Sequence, residues 1–367
     1  MMKIGVPSEI KPQEKRVGLT PESVAALVAD GHTLVVQSGA GAGIGADDAA
    51  YAAAGASIEA NRDAIFADAE MIVKVKEPQA EEIALLKKDQ LLFTYLHLAP
   101  DRAQTEGLLK SECTAIAYET ITDANGALPL LRPMSQVAGR MAVHVAATTL
   151  QHTNGGQGLL LGGVPGVGPA KVLVLGGGVS GRHAAQMAVG MGADVTVFDL
   201  NVATLEQLDV QFGASLKTQF STRAALAAAL TTADVVIGAV LVAGAKAPKL
   251  VTAADLKTMK PGSVLVDIAI DQGGCFETSK PTTHENPTYI VDDVVHYCVA
   301  NMPGGVPKTS TYALNAATLP FARALANKGW EAACAANAHL AKGLNVHAGK
   351  IKLAEVAEAF PDLPADL

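Results

Sequence analysis

Aromatic side chains are scarce in this 367-residue chain, at 4% of residues with a single tryptophan. A core of stacked rings is therefore excluded. Packing must come from Ala, Val and Leu, within a hydrophobic fraction of 49%, and from 35 glycines besides. That composition suits helices lying close on parallel strands. Four cysteines, Cys113, Cys275, Cys298 and Cys334, lie far apart with no C-x-x-C spacing. They read as reduced core thiols, not as a disulfide frame. No metal-ligand spacing stands out, and no metal is expected. Positive charge is not in excess: the net charge is −8 and there is no basic stripe, so nucleic acid is not an expected partner. No apolar run reaches the roughly 18 residues that a membrane span needs. The first residues, "MMKIGVPSEI", lack a signal-peptide h-region. A cytoplasmic protein with no membrane partner is expected.

What is present is a βα rhythm, given twice. "MKIGVP" (2–7), "HTLVVQ" (32–37), "MIVKVK" (71–76), "LLFTYL" (91–96) and "TAIAYET" (114–120) read as strands, with Ala-rich amphipathic segments between the early ones. Thr20 before Pro21 reads as a helix start. Residues 134–151 read as one long helix after Pro133. The stretch 154–170 holds seven glycines and two prolines and is not helical. A second series follows: 171–176, 194–199, 234–240, 263–270 and 294–300. After "NMPGGVP" the chain reads as helix to near residue 345. Strand, helix, strand in this order predicts parallel sheets with covered faces. The expected fold is α/β, with two doubly wound Rossmann-like domains. The second is inserted into a discontinuous first: residues 1–130 with 306–367 for the substrate, and 131–305 for the dinucleotide. A ligand cleft and hinge motion are expected at their junction.

The strongest local signal is "KVLVLGGGVSGRHAAQMAVGMGADVTVFD" (171–199). An apolar strand enters G-x-G-x-x-G at Gly176, Gly178 and Gly181, and an Ala-rich helix leaves it. A second strand ends in Asp199, 18 residues after Gly181. Gly176 permits the tight turn, Gly178 the approach of a pyrophosphate, and Gly181 close packing of helix on sheet. The helix N-terminus offers N–H groups to phosphate. By contrast "SGAGAGIG" (38–45) lacks the spacing and reads as a loop. Asp199 favours NAD over NADP, because its carboxylate accepts from ribose hydroxyls. Against a 2′-phosphate it would cost roughly a few kcal/mol at an effective dielectric near 20. Arg182 and Arg223 are close enough in sequence to oppose that preference.

Polar residues just beyond strand ends are the substrate candidates, because doubly wound sheets bind ligands there. Arg16 follows the first strand, Lys76 ends "MIVKVK", and His97 follows "LLFTYL". Asp271 and Asn301 hold similar places in the second series. Arg can clamp a carboxylate with two parallel bonds, Lys can polarise a carbonyl, and an imidazole can exchange a proton near neutral pH. A 2-oxo acid would use all three. Plainer readings stand beside these. Arg16 also reads as a loop charge and His97 as a core histidine. Lys74 and Lys76 share a strand face, so one of them is solvated. Asp271 also reads as the cap of a Gly-Gly turn. His296 is a rival to His97 that begins a run instead of ending one.

The chain resembles the alanine dehydrogenase and nicotinamide nucleotide transhydrogenase family over nearly its whole length. The resemblance lies in "GVPSEIKPQEKRVGLTP" (5–21), "KVKEP" (74–78), "LFTYLHLA" (92–99), "AIAYET" (115–120), "PMSQVAGRMA" (133–142), "GGVPGV" (162–167), "GGGVSG" (176–181), "GAKAPKLV" (244–251), "DIAIDQGG" (267–274) and "NMPGGVPKTST" (301–311). It implies reversible oxidative deamination of L-alanine by NAD to pyruvate and ammonium. By resemblance, Arg16 binds the substrate carboxylate and Lys76 the carbonyl oxygen. His97 is the general acid/base, and Asp271 assists water or ammonia addition. Ser135, Gly176, Gly178, Val179, Gly181, Asp199, Ser221, Ala239, Val240, Leu241, Ile268, Asp271, Asn301 and Met302 surround the dinucleotide. Met134 is expected near nicotinamide or substrate, and a homo-oligomer, a hexamer, is implied. Gln136 stands where the family often has Glu, and Thr204 where some members have a basic residue. The competing functions are a transhydrogenase-type NAD(H)-binding subunit with no amino acid turnover, and a non-enzymatic NAD sensor. The set "KRVGLTP", "KVKEP" and "TYLHLA" disfavours the first.

Overall fold

The computed structural model describes residues 1–240 and 247–367. The chain forms two compact units, Met1–Met134 with Val306–Leu367, and Ser135–Gly305.

In the first unit, the opening segment supplies strands β1 (Lys3–Val6), β2 (Thr33–Gln37), β3 (Ser57–Glu59), β4 (Met71–Val73), β5 (Leu91–Thr94) and β6 (Thr114–Ala117). The second unit supplies β7 (Lys171–Leu175), β8 (Asp194–Asp199), β9 (Lys217–Phe220), β10 (Val235–Gly238), β11 (Val264–Asp267), β12 (Thr288–Val291) and β13 (Val294–Tyr297). The closing segment returns to the first unit with β14 (Leu344–His347) and β15 (Lys350–Ile351).

The first sheet runs β15-β14-β6-β5-β4-β1-β2-β3, and β1 to β6 are mutually parallel. Its strand order reverses between β1 and β4. Local chemistry sets the helices between strands. Thr20 caps the helix Pro21–Ala29 by accepting from the Ser23 N–H, and Pro21 fits the first turn, where no donor is needed. Asp101 caps Arg102–Ser111 in the same way through the Gln104 N–H.

The second sheet runs β12-β13-β11-β10-β7-β8-β9. Alternate residues of its strands enter different clusters. Val172, Val174, Val235, Ile237, Val264 and Val266 pack on one face, and Leu173, Leu175, Val236 and Leu265 on the other. Both faces are thus buried, which is why these strands read as continuous apolar runs. The order reverses between β7 and β10, so their carboxyl ends diverge around one crevice.

The architecture is the expected doubly wound α/β type, with three differences. Each sheet carries antiparallel strands at one side, β12 at the edge on β13, and β14 on β6 with β15 outermost. These segments are short: β12 (TYIV) is exposed at alternate residues, and β14 (LNVH) and β15 (KI) mix polar with apolar residues, so none reads as a central strand. Second, strands end sooner than the apolar pattern does. The run 263–270 is strand only to Asp267, because its carboxylate folds the chain back. Asp267 accepts from the N–H groups of Ala269, Cys275 and Phe276 and from the Ser279 hydroxyl, and its side chain is fully buried. Third, Lys74 and Lys76 share no strand face, since β4 stops at Val73. His296 is a satisfied core residue: it is fully buried, with Nδ1 bonded to the Val294 carbonyl and Nε2 to the Thr278 hydroxyl. All four cysteines are free, and three are buried. Among the described residues no helix is long and apolar enough to cross a membrane.

Asp267→Ala would leave three buried N–H groups without their acceptor. At roughly 1 to 3 kcal/mol for each unsatisfied group, the variant is expected to lose about 3 kcal/mol or more of stability, read by urea unfolding. An unchanged midpoint would contradict this role.

Candidate functional site

In the second unit, β7 delivers the chain to Gly176, whose φ of +99° is left-handed. A Cβ on Gly181 would overlap the Gly176 carbonyl oxygen, so the helix Val179–Gly190 lies against the turn only because residue 181 has no side chain. A Cβ on Gly178 would meet nothing within 4 Å. Gly178 is the helix N-cap and supplies no side-chain cap, so the first-turn N–H groups of Val179 and its neighbours are presented at an open position. Asp199 ends β8 beside this turn. One of its carboxylate oxygens accepts from the Gly177 N–H at 2.7 Å and the other from the Asn201 N–H at 2.8 Å. Each keeps a second lone pair for a hydroxyl donor.

The other dinucleotide candidates lie at the same carboxyl edge. Ser221 follows β9, and its N–H donates to the Asp199 carbonyl. Ala239 and Val240 follow β10 and face Gly176 across the switch point. Ile268 follows β11, and Asp271 sits exposed in the 3-10 turn Ile270–Gln272. Asn301 (φ +60°) and the buried Met302 open the turn beyond β13. Ser135 is half-buried near the start of the helix Arg132–Thr149. Leu241 lies outside the described residues. The two arginines that could have drawn a 2′-phosphate are engaged elsewhere. Arg182 donates to Gln207 at 2.9 Å, and Arg223 pairs with Asp255.

In the first unit, Arg16, Lys76 and His97 follow β1, β4 and β5 at one sheet edge. Arg16 is 2% exposed. Glu14 takes the Nε and Nη2 side of its guanidinium at 2.7 and 2.6 Å. Met134 Sδ lies 3.0 Å from Nη1. Burial works against the Arg16 charge, but the hydrogen bonds and charge of Glu14 outweigh it and hold its pKa above the ordinary value. Thr94 donates to the Lys76 carbonyl at 2.9 Å, which ties β5 to the β4 exit. Tyr95 stacks on His97 with ring centroids 5.8 Å apart and planes 6° from parallel.

His97 is not a core histidine, since 45% of its side chain is exposed. Its backbone is left-handed, with φ of +51°. Glu119, just past β6, holds that unusual turn. Its carboxylate accepts from the Leu96 and His97 N–H groups, the latter at 2.6 Å, and lies 3.8 Å from His97 Nδ1. Lys74 is not solvated. It is fully buried between Glu9, at 3.1 Å, and Glu82, at 2.7 Å. Burial opposes its charge, but the two carboxylates more than compensate, so its pKa is raised. Glu9 also accepts from the Val75 and Lys76 N–H groups, so the triad anchors the segment that carries Lys76.

Sequence reading missed Glu14, Tyr95 and Glu119. The signal for Glu119 was available, because "AIAYET" puts an acid just beyond an apolar strand. Glu14 gave none, being one of several charges in "KPQEKR".

Two doubly wound units, one with a glycine turn at its switch point and one with a buried arginine, a lysine and a histidine at its strand ends, define a Rossmann-type α/β protein. The chain belongs to the alanine dehydrogenase/PNT family. The family's N-terminal domain model matches residues 5–138 and its C-terminal domain model residues 142–354. Alanine dehydrogenase of Halomonas elongata is 60% identical over 359 residues, 98% of this chain and 97% of that protein. A solved structure of an L-alanine dehydrogenase superposes with a TM-score of 0.96 at 52% identity, covering 98% of this chain and 99% of the other. A transhydrogenase structure from Sinorhizobium meliloti gives 0.83 at 26% identity, covering 96% and 99%.

Lys74→Ala would strand two buried carboxylates. Breaking such a pair costs about 3 to 5 kcal/mol. We expect that loss in urea unfolding, with a much smaller one for the half-buried Lys76→Ala. Equal losses would contradict the division of labour between the two lysines.

Proposed function

We infer that the chain is an alanine dehydrogenase, catalysing the reversible conversion of L-alanine and water to pyruvate and ammonium with reduction of NAD. The observation that carries this reading is the gathering of Arg16, Lys76 and His97 at one sheet edge of the first unit. An NAD(H)-binding subunit without amino acid turnover would have little need for that set, and identity to alanine dehydrogenases is about twice that to the transhydrogenase.

The residues fit a dinucleotide. The open position at Gly178, the uncapped first turn after it and the Asp199 carboxylate are complementary to a pyrophosphate and a ribose diol. Gly176, Gly178, Val179, Gly181 and Asp199 would hold it. Ser135, Ser221, Ala239, Val240, Ile268, Asn301 and Met302 would line the remainder. NAD is favoured over NADP because Arg182 and Arg223 are engaged and Asp199 repels a phosphate. Bound there, the nicotinamide supplies the acceptor for a hydride from the substrate α-carbon.

The chain's own groups do the rest. Glu14 orients the Arg16 guanidinium, which is assigned to the substrate carboxylate. Lys76 polarises the carbonyl oxygen of pyruvate, and binds the hydroxyl oxygen of the carbinolamine that precedes it. His97, braced by Tyr95 and Glu119, takes a proton from the water that adds to the oxidised α-carbon and returns one to the departing amine. Asp271 assists that addition. Clamping of this kind fixes the α-carbon before the reaction. Family membership further supports a cytoplasmic homohexamer, which sedimentation would read.

Purified protein is expected to form NADH from L-alanine and NAD+, with far less turnover on NADP+. Asp199→Ala should narrow that gap. His97→Ala should lose about 10²-fold or more in turnover. Near-normal turnover by His97→Ala would overturn its assignment. Absence of alanine-dependent NADH, with the dinucleotide still bound, would overturn the function.

A further inference from the structure

The loop that carries Arg16 is held from three sides by groups that do not belong to the substrate cluster. On one side, a Cβ on Gly18 would overlap the Val73 carbonyl at the end of β4. On a second, the 3-10 turn Ala42–Ile44 lies so close that a Cβ on Gly43 would overlap the Lys15 carbonyl. The third side is the helix Pro307–Lys328, from the closing segment of the same unit.

A helix flank has no backbone groups to spare, so only side chains can pair a loop laid along it. Asn315 does this with both ends of its amide. Its Oδ1 accepts from the Thr20 N–H at 2.9 Å, and its Nδ2 donates to the Gly18 carbonyl at 3.1 Å. Nδ2 also donates to the Thr311 carbonyl one turn earlier in its own helix, at 3.2 Å, which fixes the amide's orientation. The Thr311 hydroxyl in turn accepts from the Val17 N–H at 3.4 Å. Asn315 is 2% exposed and Thr311 fully buried. Residues 17, 18 and 20 are therefore read by one helix face, and the next residue toward the N-terminus is Arg16.

We propose that Asn315 is a positioning residue for substrate binding, which sets the register of the 17–20 loop on the helix Pro307–Lys328 and so the placement of the Arg16 guanidinium. The proposal rests on the assignment of Arg16 to the substrate carboxylate. The physical reason is the narrow tolerance of a two-bond fork. A shift of about 1 Å in a positioning group costs on the order of 10²-fold, and with Asn315 truncated the helix keeps only the long Val17–Thr311 bond to this loop, at 3.4 Å. Weakening an interaction that is equally strong in the ground and transition states raises KM and leaves kcat unchanged.

Steady-state kinetics of full-length wild type, Arg16→Lys, Asn315→Ala and Asn315→Asp with L-alanine and with pyruvate test this, alongside NADH affinity by fluorescence titration. Asn315→Asp keeps the Oδ1 acceptor but turns an oxygen toward the Gly18 and Thr311 carbonyls. It also provides the reading should Asn315→Ala fail to fold. The expected result is a KM for alanine and pyruvate raised about tenfold or more in Arg16→Lys and in the Asn315 variants, with kcat within about threefold and NADH affinity unchanged. A lowered melting temperature with wild-type KM in the Asn315 variants, while Arg16→Lys raises KM, would overturn the positioning role and leave the function standing. No rise in KM for Arg16→Lys would overturn the substrate assignment and the proposal with it.

Discussion

The first unit depends on keeping a guanidinium charged where water does not reach. Arg16 and Glu14 are 2% and 0% exposed at their side chains, two residues apart in one loop. An isolated cation there would be very costly, and the carboxylate beside it makes the position tenable. The pair also holds the fork at a fixed orientation. The surrounding architecture can be read as support for it: β1 brings the loop to the sheet edge, the close approaches at Gly18 and Gly43 and the Pro307–Lys328 helix fix its path, and Met134 lies against the guanidinium. The Glu9–Lys74–Glu82 triad does the same for the segment that carries Lys76. Two neighbouring loops are thus anchored by buried charge.

The second unit solves a different problem by steric means. Its glycine turn presents backbone donors, which works only if helix and strand approach closely. Gly181 against the Gly176 carbonyl is that approach. Asp199 then serves twice, bonding the Gly177 N–H within the turn and keeping lone pairs for a ribose. Binding and stability are coupled at this residue, and its substitution tests both.

Much of the fold was legible because central parallel strands are buried on both faces and so announce themselves as apolar runs. Strand ends were not, because what ends a strand is often a polar group acting at a distance. Asp267 turns the chain by bonding to Cys275, Phe276 and Ser279, eight to twelve residues on. The outer strands escaped for other reasons: β3 (SIE) and β9 (KTQF) have little apolar content, and β12 (TYIV) is short and exposed at alternate residues. In the candidate site, His97 could be picked out by its place after β5, but its left-handed backbone could not. Lys74 was misread because burial of a lysine requires two carboxylates from distant segments, and no local pattern shows them meeting. Glu14 and Asn315 illustrate the same limit, since each acts through geometry that only the folded loop creates.

The most direct test of the account is a crystal structure of the protein with NADH and pyruvate. The account predicts pyruvate at the carboxyl edge of the first sheet, its carboxylate within hydrogen-bond distance of the Arg16 guanidinium and its carbonyl oxygen facing Lys76 and His97. Pyruvate bound elsewhere, with no atom of it within hydrogen-bond distance of Arg16, would contradict it.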